Sequence, residues 1–472
     1  MKLRTKKIIS GILTAATFFT LCSCQNKKEN ENVSGETVKW VTSYTAPKDH
    51  NKVLEAANKL IKEKTGLSLD LLVISNGAYG EKMNLMISSN EDFDVCFTSN
   101  WLNPYVTNVK KKAYLKLDDY IEKMPILKET IPDYVWETSR TDGGIYAVPN
   151  LQIMASRVDM LIRPDIVEKY NIDVSSIKEF KDLTPVLKTV KENEPDLVPY
   201  KPSWTPVGVD YEAFDGQVYV SRENGEVFSV YEIPEYREYL DLVHDWYKKG
   251  YILSDVLTNT GTDETIYATK PSNYSPGVEG NELGRYGFTY ARAPLTEPYI
   301  TTTAGQSTMN AVNANSKNPE NALKMIETLY TDKDIYNTLA YGIEGTHYEK
   351  VTDKTVRRIS DDYKFNSAWV YGNQFNAYLT EGQQEDTWEV TEKLNNEAKK
   401  SPYLGFSFEI ADIKNEIASV SAVQSEYETF LNYGVEDPAK HWDAYVQKLK
   451  SAGIDKIKDE FKRQLEEWKK TN

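Results

Sequence analysis

The sequence predicts an α/β protein of more than one lobe with a helical C-terminal end. Strand-like and helix-like segments alternate between Val38 and Thr98, the order of an open α/β sheet. The middle of the third strand, Val95-Cys96-Phe97, is continuously apolar, as in a central, parallel strand covered on both faces. From Asp412 onward the pattern turns mainly helical. A chain of 472 residues is also long enough for more than one core.

Val38-Lys39-Trp40-Val41-Thr42-Ser43-Tyr44 is rich in β formers and reads as a strand that ends before Pro47. Asn51 to Lys64 carries Val53, Leu54, Ala57, Leu60 and Ile61 at helical spacing and stops at Gly66. Leu67 to Ile74 is a second strand. Gly80 to Ser88 is a short helix with Met83, Met86 and Ile87 inward, and Phe93 to Thr98 is the third strand. Ile145 to Val148 follows a Gly143-Gly144 turn and reads as another strand. Further along, Glu235 to Lys249 has a helical pattern, and Gly284 to Thr303 has no strong period. Asn318-Pro319 opens a helix, with Asn318 as the expected N-cap and Ala322, Leu323, Met325, Ile326 and Leu329 as its buried stripe.

The first residues have a separate purpose. Lys2, Arg4, Lys6 and Lys7 precede the mainly apolar run Ile8 to Leu21, which is too short to span a bilayer and suits a secretory signal core. The run ends in Leu21-Cys22-Ser23-Cys24, which resembles the bacterial lipobox. That resemblance implies cleavage before Cys24, acyl chains on its thiol and stable attachment to the membrane. Residues 25–37 are polar and aperiodic, as expected of a flexible tether. The mature chain then keeps Cys96 besides the anchor, so an internal disulfide has no partner and the fold rests on its core.

Composition narrows the function. Loss of the four signal-segment cations takes the net charge from −15 to −19, which disfavours nucleic acid. With 32 Tyr and 9 Trp against 14 Phe, amphipathic aromatics predominate, and a flat apolar face with a polar tip suits carbohydrate. His50, His244, His347 and His441 form no metal-ligand motif, and the sequence has no Gly-rich phosphate loop and no GxSxG elbow. Neither a metal nor a cofactor is expected. Asp92 and Asp94 are the one nearby carboxylate pair considered for glycan hydrolysis, and their placement between a helix end and a strand start suits a turn. Cys96, in the apolar middle of a strand, is read as a buried small hydrophobe.

The stretches NGAYGEKMNLMISSNEDFDVCFTSNWLNPY, GGIYAVPN, NPENALKMIETLYTD, YGIEGTHYEK and the tail from SPYLGFSFEI to KIKDEFKRQLEEW resemble, in this order, the extracellular solute-binding proteins of ABC importers. The resemblance is to large members of solute-binding family 1, whose C-terminal module was first catalogued as a domain of unknown function. It departs at Lys111-Lys112-Ala113, where relatives usually carry Gly in the middle. The family implies a two-lobed, periplasmic-binding-protein-like fold: two open α/β sheets joined by a hinge, with a helical C-terminal extension. The expected division is residues 1–23 signal, 24–37 tether, 38–147 and 302–345 lobe 1, 148–301 and 346–400 lobe 2, and 401–472 C-terminal module. It implies a monomer that takes a sugar or oligosaccharide between its lobes and delivers it to an ABC permease. A surface sensor of the same fold and a glycan-degrading enzyme are the other two readings.

Ligands of open α/β sheets lie beyond the carboxyl ends of the strands. That rule selects Tyr44 after the first strand and Trp101 with Asn103 after the third. Trp101 would either plug the lobe or offer its face to a sugar ring. Tyr146 and Gln152 flank the expected hinge at Pro149, and Trp204, Tyr290, Trp369 and Asn373 sit in irregular, aromatic-rich stretches.

Overall fold

The computed structural model describes residues 37–203, 210–215, 218–259, 261, 263–364 and 367–471. Cys24 and Trp204 lie outside them.

The first sheet has five strands in the order Ser68–Ile74, Thr37–Ser43, Val95–Thr98, Met309–Val312 and Ala147–Pro149. Thr37–Ser43 runs parallel to both of its neighbours, and Val95–Thr98 is buried along its whole length, as its apolar run predicts. Met309–Val312 inserts antiparallel between Val95–Thr98 and Ala147–Pro149. The third strand starts at Val95 rather than Phe93. There Asp94 ties off the first strand: its backbone N–H donates to the Lys39 carbonyl and its carboxylate accepts from the Lys39 N–H at 2.9 Å.

The helix expected at Asn51–Lys64 spans His50–Thr65 and stops at Gly66, whose φ of +75° suits a residue without Cβ. The second helix starts at Asn76, four residues earlier than its periodic part suggests. The single strand expected over Ile145–Val148 is broken in two. Gly144–Ile145 pairs with Arg140–Thr141, Ala147–Pro149 joins the first sheet, and between them the Tyr146 N–H donates to the Tyr105 hydroxyl. Pro319–Thr331 buries its predicted stripe completely, but Asn318 makes no side-chain cap bond. The aperiodic stretch 284–303 includes the end of helix Val278–Tyr286 and the short strands Ala291–Pro294 and Tyr299–Ile300.

A second sheet, in the order Ala291–Pro294, Val158–Ile162, Tyr267–Asn273 and Val198–Tyr200, anchors the other lobe. Each lobe has its own core. The first contains buried residues from Val38 to Ala155 and from Ile300 to Ala398. The second contains Met160 to Leu295 and Tyr403 to Leu465.

This division differs from the expected one. Residues 346–400, expected in lobe 2, contribute Tyr363, Val370, Tyr371, Ala377 and Ala398 to the first core. The C-terminal segment, expected as a module of its own, completes the second core. Its helices Lys414–Asn432, Pro438–Ala452 and Ile454–Thr471 bury Val420, Leu431, Tyr445, Leu449, Ile457 and Phe461 there. An amphipathic helix must cover its apolar stripe, and the second lobe offers the matching face.

The chain crosses between the cores at Ser156, Tyr299 and Lys399, so the hinge lies beyond Pro149, which is paired within the first sheet. The three crossings form a narrow ribbon. Ser156 and Tyr299 exchange backbone hydrogen bonds of 2.8 and 3.0 Å, and Tyr299–Ile300 runs parallel to Lys399–Lys400. Three thin strands resist separation while permitting bending, which is the requirement for lobes that move about a hinge.

Candidate functional site

The hinge enters both sheets from corresponding edges. In the first lobe, Pro149 ends a strand parallel to Val95–Thr98, and the chain then runs from Asn150 to the hinge at Ser156. In the second, Val158–Ile162 starts from the hinge and is antiparallel to Tyr267–Asn273 and to Ala291–Pro294, so the carboxyl ends of those two strands lie beside its start. The carboxyl edges of both sheets therefore meet at the hinge, and the space beyond them is the binding region of an open α/β sheet. On the side of helix Val278–Tyr286 the lobes touch. A Cβ at Gly280 would come within 2.6 Å of the Gly382 carbonyl oxygen, and one at Gly277 within 2.7 Å of the Thr387 methyl.

At the edge of the first sheet, two of the sequence-selected residues come together. Trp101 is 53% exposed, and its indole N–H donates to the Ser307 carbonyl at 2.8 Å. Its ring centroid is 6.1 Å from that of Trp369, and both rings pack on Phe97, at 6.2 and 5.8 Å. Ser99 turns the chain outward: its hydroxyl accepts from the Trp101 and Leu102 N–H groups. Trp369 is held from beneath, because the Asn150 amide donates to its carbonyl at 2.8 Å. Asn150 is fixed in turn by an amide donated from Asn310 and by the Tyr330 hydroxyl, at 2.9 and 3.1 Å.

Gln152 joins this cluster through Ser307. Its amide donates to the Ser307 and Thr308 hydroxyls at 3.1 and 2.8 Å. Asn373 lies alongside, in a bridge with Leu151; its carboxamide oxygen accepts from the Phe375 N–H, and its NH₂ donates to the Tyr330 carbonyl. Asn100, exposed next to Trp101, donates to the Thr303 carbonyl. Asn100, Gln152, Ser307 and Asn373, which lie near the indole pair, are polar and uncharged.

Other sequence-selected residues sit elsewhere. Tyr44 is buried, its hydroxyl 2.9 Å from that of Tyr371, and burial pushes its pKa up to about 12. Asn103 is also buried and adopts a φ of +52°, with its amide donating to the Phe97 carbonyl and the Tyr114 hydroxyl. Both follow strand ends, but the chain folds them back under the edge. Tyr146 is at the amino end of its strand, where burial and then Asp142 and Asp118 raise its pKa. Tyr290 is buried at the amino end of the strand Ala291–Pro294, with Lys270 5.0 Å over its ring.

The carboxylates singled out in the sequence are both engaged in structural contacts at Lys39. Asp92 forms an ion pair with Lys39 at 2.5 Å, while Asp94 accepts from the Lys39 N–H and the Ser316 hydroxyl. Burial pushes the Cys96 thiol up to about 12, away from the thiolate that a nucleophile needs. Among the described residues no group of His, Cys, Asp and Glu is arranged to hold a metal.

A separate cleft of about 810 Å³ lies between the Arg140–Gly143 turn and the last helix. Its cations are paired, Lys110 with Glu409, Arg140 with Glu137, and Arg463 with Glu460 and Glu467, and it contains none of the sequence-selected residues. The indole pair is therefore the better candidate for a sugar.

Residues 48–335 match the family described as bacterial extracellular solute-binding protein, and residues 402–470 match a domain of unknown function, DUF3502. The chain belongs to the bacterial extracellular solute-binding proteins. A carbohydrate ABC transporter substrate-binding protein of Streptococcus pneumoniae is 32% identical to it over 95% of each chain. The N-glycan transport solute binding protein (NgtS) of the same organism superposes with a TM-score of 0.80 at 29% identity, covering 91% of this chain and 98% of that one. In complex with Man1GlcNAc the same relative gives 0.68 at 28% identity, covering 91% and 99%, and with Man5GlcNAc 0.65 at 29%, covering 92% and 99%. This solute-binding protein thus shares the two-lobed fold with its helical C-terminal part.

The sequence selected Trp101 and Trp369, with Asn100 as a polar neighbour of the first, and missed Ser307. Ser307 precedes a strand, Met309–Val312, that is only four residues long and carries Asn310, so no apolar run marks it.

Proposed function

We propose that this solute-binding protein is held by lipid at Cys24 on the outer face of the cell membrane, takes a sugar or oligosaccharide between its lobes, and presents it as a monomer to an ABC permease. The observation that carries the ligand reading is the exposed indole of Trp101 beside Trp369. It offers flat apolar surface for the C–H face of a sugar ring, with Asn100, Gln152 and Ser307 placed for hydroxyl groups. The substrates of the relatives support the class: a carbohydrate in one, and mannosyl-N-acetylglucosamine glycans in another. The lipobox carries the anchor reading. No helix among the described residues is long and apolar enough to cross a membrane.

The test is a thermal-shift screen of the mature Cys24→Ala chain against an oligosaccharide panel that includes Man1GlcNAc and Man5GlcNAc. A true ligand at about 100 times its Kd stabilises the fold by about 2.7 kcal/mol. A panel in which no glycan raises the melting temperature would overturn the carbohydrate reading.

A further inference from the structure

The edge of the second sheet carries a side-chain cluster that the sequence did not mark. Arg157 is the first residue past the hinge crossing at Ser156, and Tyr274 directly follows the strand Tyr267–Asn273. The Tyr274 N–H donates to the Arg157 carbonyl at 2.8 Å, which locks the two side by side. The Arg157 guanidinium lies 4.1 Å over the Tyr274 ring, and that of Arg292 lies 5.6 Å from the same ring. Both cations are held by buried acids. Arg157 donates from Nε and Nη2 to the two oxygens of Asp159, at 2.7 and 2.9 Å, and Asp159 is fully buried. Arg292 pairs with buried Glu282, and its Nε lies 3.9 Å from Glu279.

Two features distinguish this cluster from a plain structural ion pair. First, donor capacity is left over. Arg292 Nε and Nη1 are buried without a hydrogen-bond partner, and Arg157 Nη1 has none among the described residues. An unmet buried donor is costly, so such a site favours an acceptor supplied from outside. Second, the location is the edge that meets the Trp101 edge at the hinge.

We infer that Arg157, Tyr274 and Arg292 form the second-lobe subsite of the cleft, and that it takes uncharged oxygen acceptors of a glycan, hydroxyl or acetamido carbonyl, rather than a carboxylate. The charge count decides between these ligands. Asp159, Glu282 and Glu279 already outnumber the two guanidiniums, so an incoming carboxylate meets a neutral-to-negative site. The guanidinium fork still has directed N–H groups for a neutral oxygen. The inference rests on the carbohydrate reading and assigns the chemistry of its second wall.

The test uses calorimetric titration of the mature Cys24→Ala chain with neutral Man1GlcNAc and with anionic trigalacturonate. The expected result is binding of the neutral glycan with little dependence on salt, and trigalacturonate weaker by about tenfold or more. Arg157→Lys, which keeps a cation for Asp159 but loses the fork, should weaken the neutral glycan by about tenfold or more with the melting temperature retained. If that variant does not fold, Tyr274→Leu removes the stacking surface without a charge change and should give the same loss. Unchanged affinity in the folded variant, or tighter binding of trigalacturonate, would overturn the subsite while leaving the carbohydrate reading in place. Binding of neither sugar would overturn this inference, and the wider oligosaccharide panel would then decide the carbohydrate reading.

Discussion

The indole of Trp101 lies 6.1 Å from that of Trp369, at an interplanar angle of 55°, although the two residues belong to distant parts of the chain. Phe97 supports both rings, and Asn150 fixes the backbone of the second. The pair is a two-ring surface with its polar edge at Ser307.

Trp101→Ala separates platform from plug. With the side chain 53% exposed, its loss should leave the melting temperature of the ligand-free protein nearly unchanged, because little core volume is removed. Affinity for the cognate glycan should fall by about 2 kcal/mol or more, as for a central aromatic hot spot. Titration and melting of the same variant measure both, and unchanged affinity removes Trp101 from the site.

Asn103→Ala should show the opposite pattern. The Asn103 amide is buried and bonded to the Phe97 carbonyl and the Tyr114 hydroxyl. Its removal leaves buried groups unpaired and should destabilise the fold by about 1–3 kcal/mol. Chemical denaturation reads this directly, with glycan affinity following only through stability.

Lys112→Gly should stabilise the protein. Lys112 follows the helix Tyr105–Lys110 at a φ of +57°, and the N–H groups of Lys112 and Ala113 close the helix on the Val109 and Asn108 carbonyls. A left-handed closing position favours Gly, so a gain of about 0.5–1 kcal/mol is expected from the denaturation midpoint. A loss instead would mean that the Lys112 side chain contributes packing.

Gly280→Val tests the contact between the lobes. A side chain there meets the Gly382 backbone, which cannot yield as a flexible side chain would. The lobes should move apart about the Ser156–Tyr299–Lys399 ribbon, and small-angle scattering should give a larger radius of gyration than for the unmodified chain. An unchanged curve would show that the contact does not set the lobe angle.

Acidity should act through Glu428 in the second lobe. Burial raises its pKa above the ordinary 4.5, although the Tyr445 hydroxyl donates to it at 2.6 Å. A raised folded-state pKa means that the folded protein holds this proton more tightly than the unfolded one. Its stabilising contribution is therefore complete below about pH 4.5 and is lost as pH rises through the folded value. Glu428→Gln should flatten this part of the stability–pH profile measured by denaturation; an unaltered profile would place the effect elsewhere.

Much was legible in the sequence alone. Periodicity marked the first two strands and the helices beside them, because strand and helix must bury their faces at spacings of two and about 3.6 residues, but not the strand Met309–Val312. The apolar run at Val95–Phe97 marked the central strand, and Gly66 marked a helix end because a residue without Cβ takes a positive φ freely. The order of the family's stretches indicated a two-lobed solute-binding protein. Only the tertiary structure decided which lobe each later segment completes, because an apolar stripe such as Tyr445, Leu449, Ile457 and Phe461 states that it must be covered but not by what. The same holds for the site. Strand ends pointed to Trp101 first, then to Tyr44 and Asn103, and the fold exposed the first and buried the other two. The chain brings Trp369 and Ser307 to Trp101, Gln152 to Ser307, and Arg157 to Tyr274, each across more than a hundred residues, and contacts at that separation leave no local pattern to read.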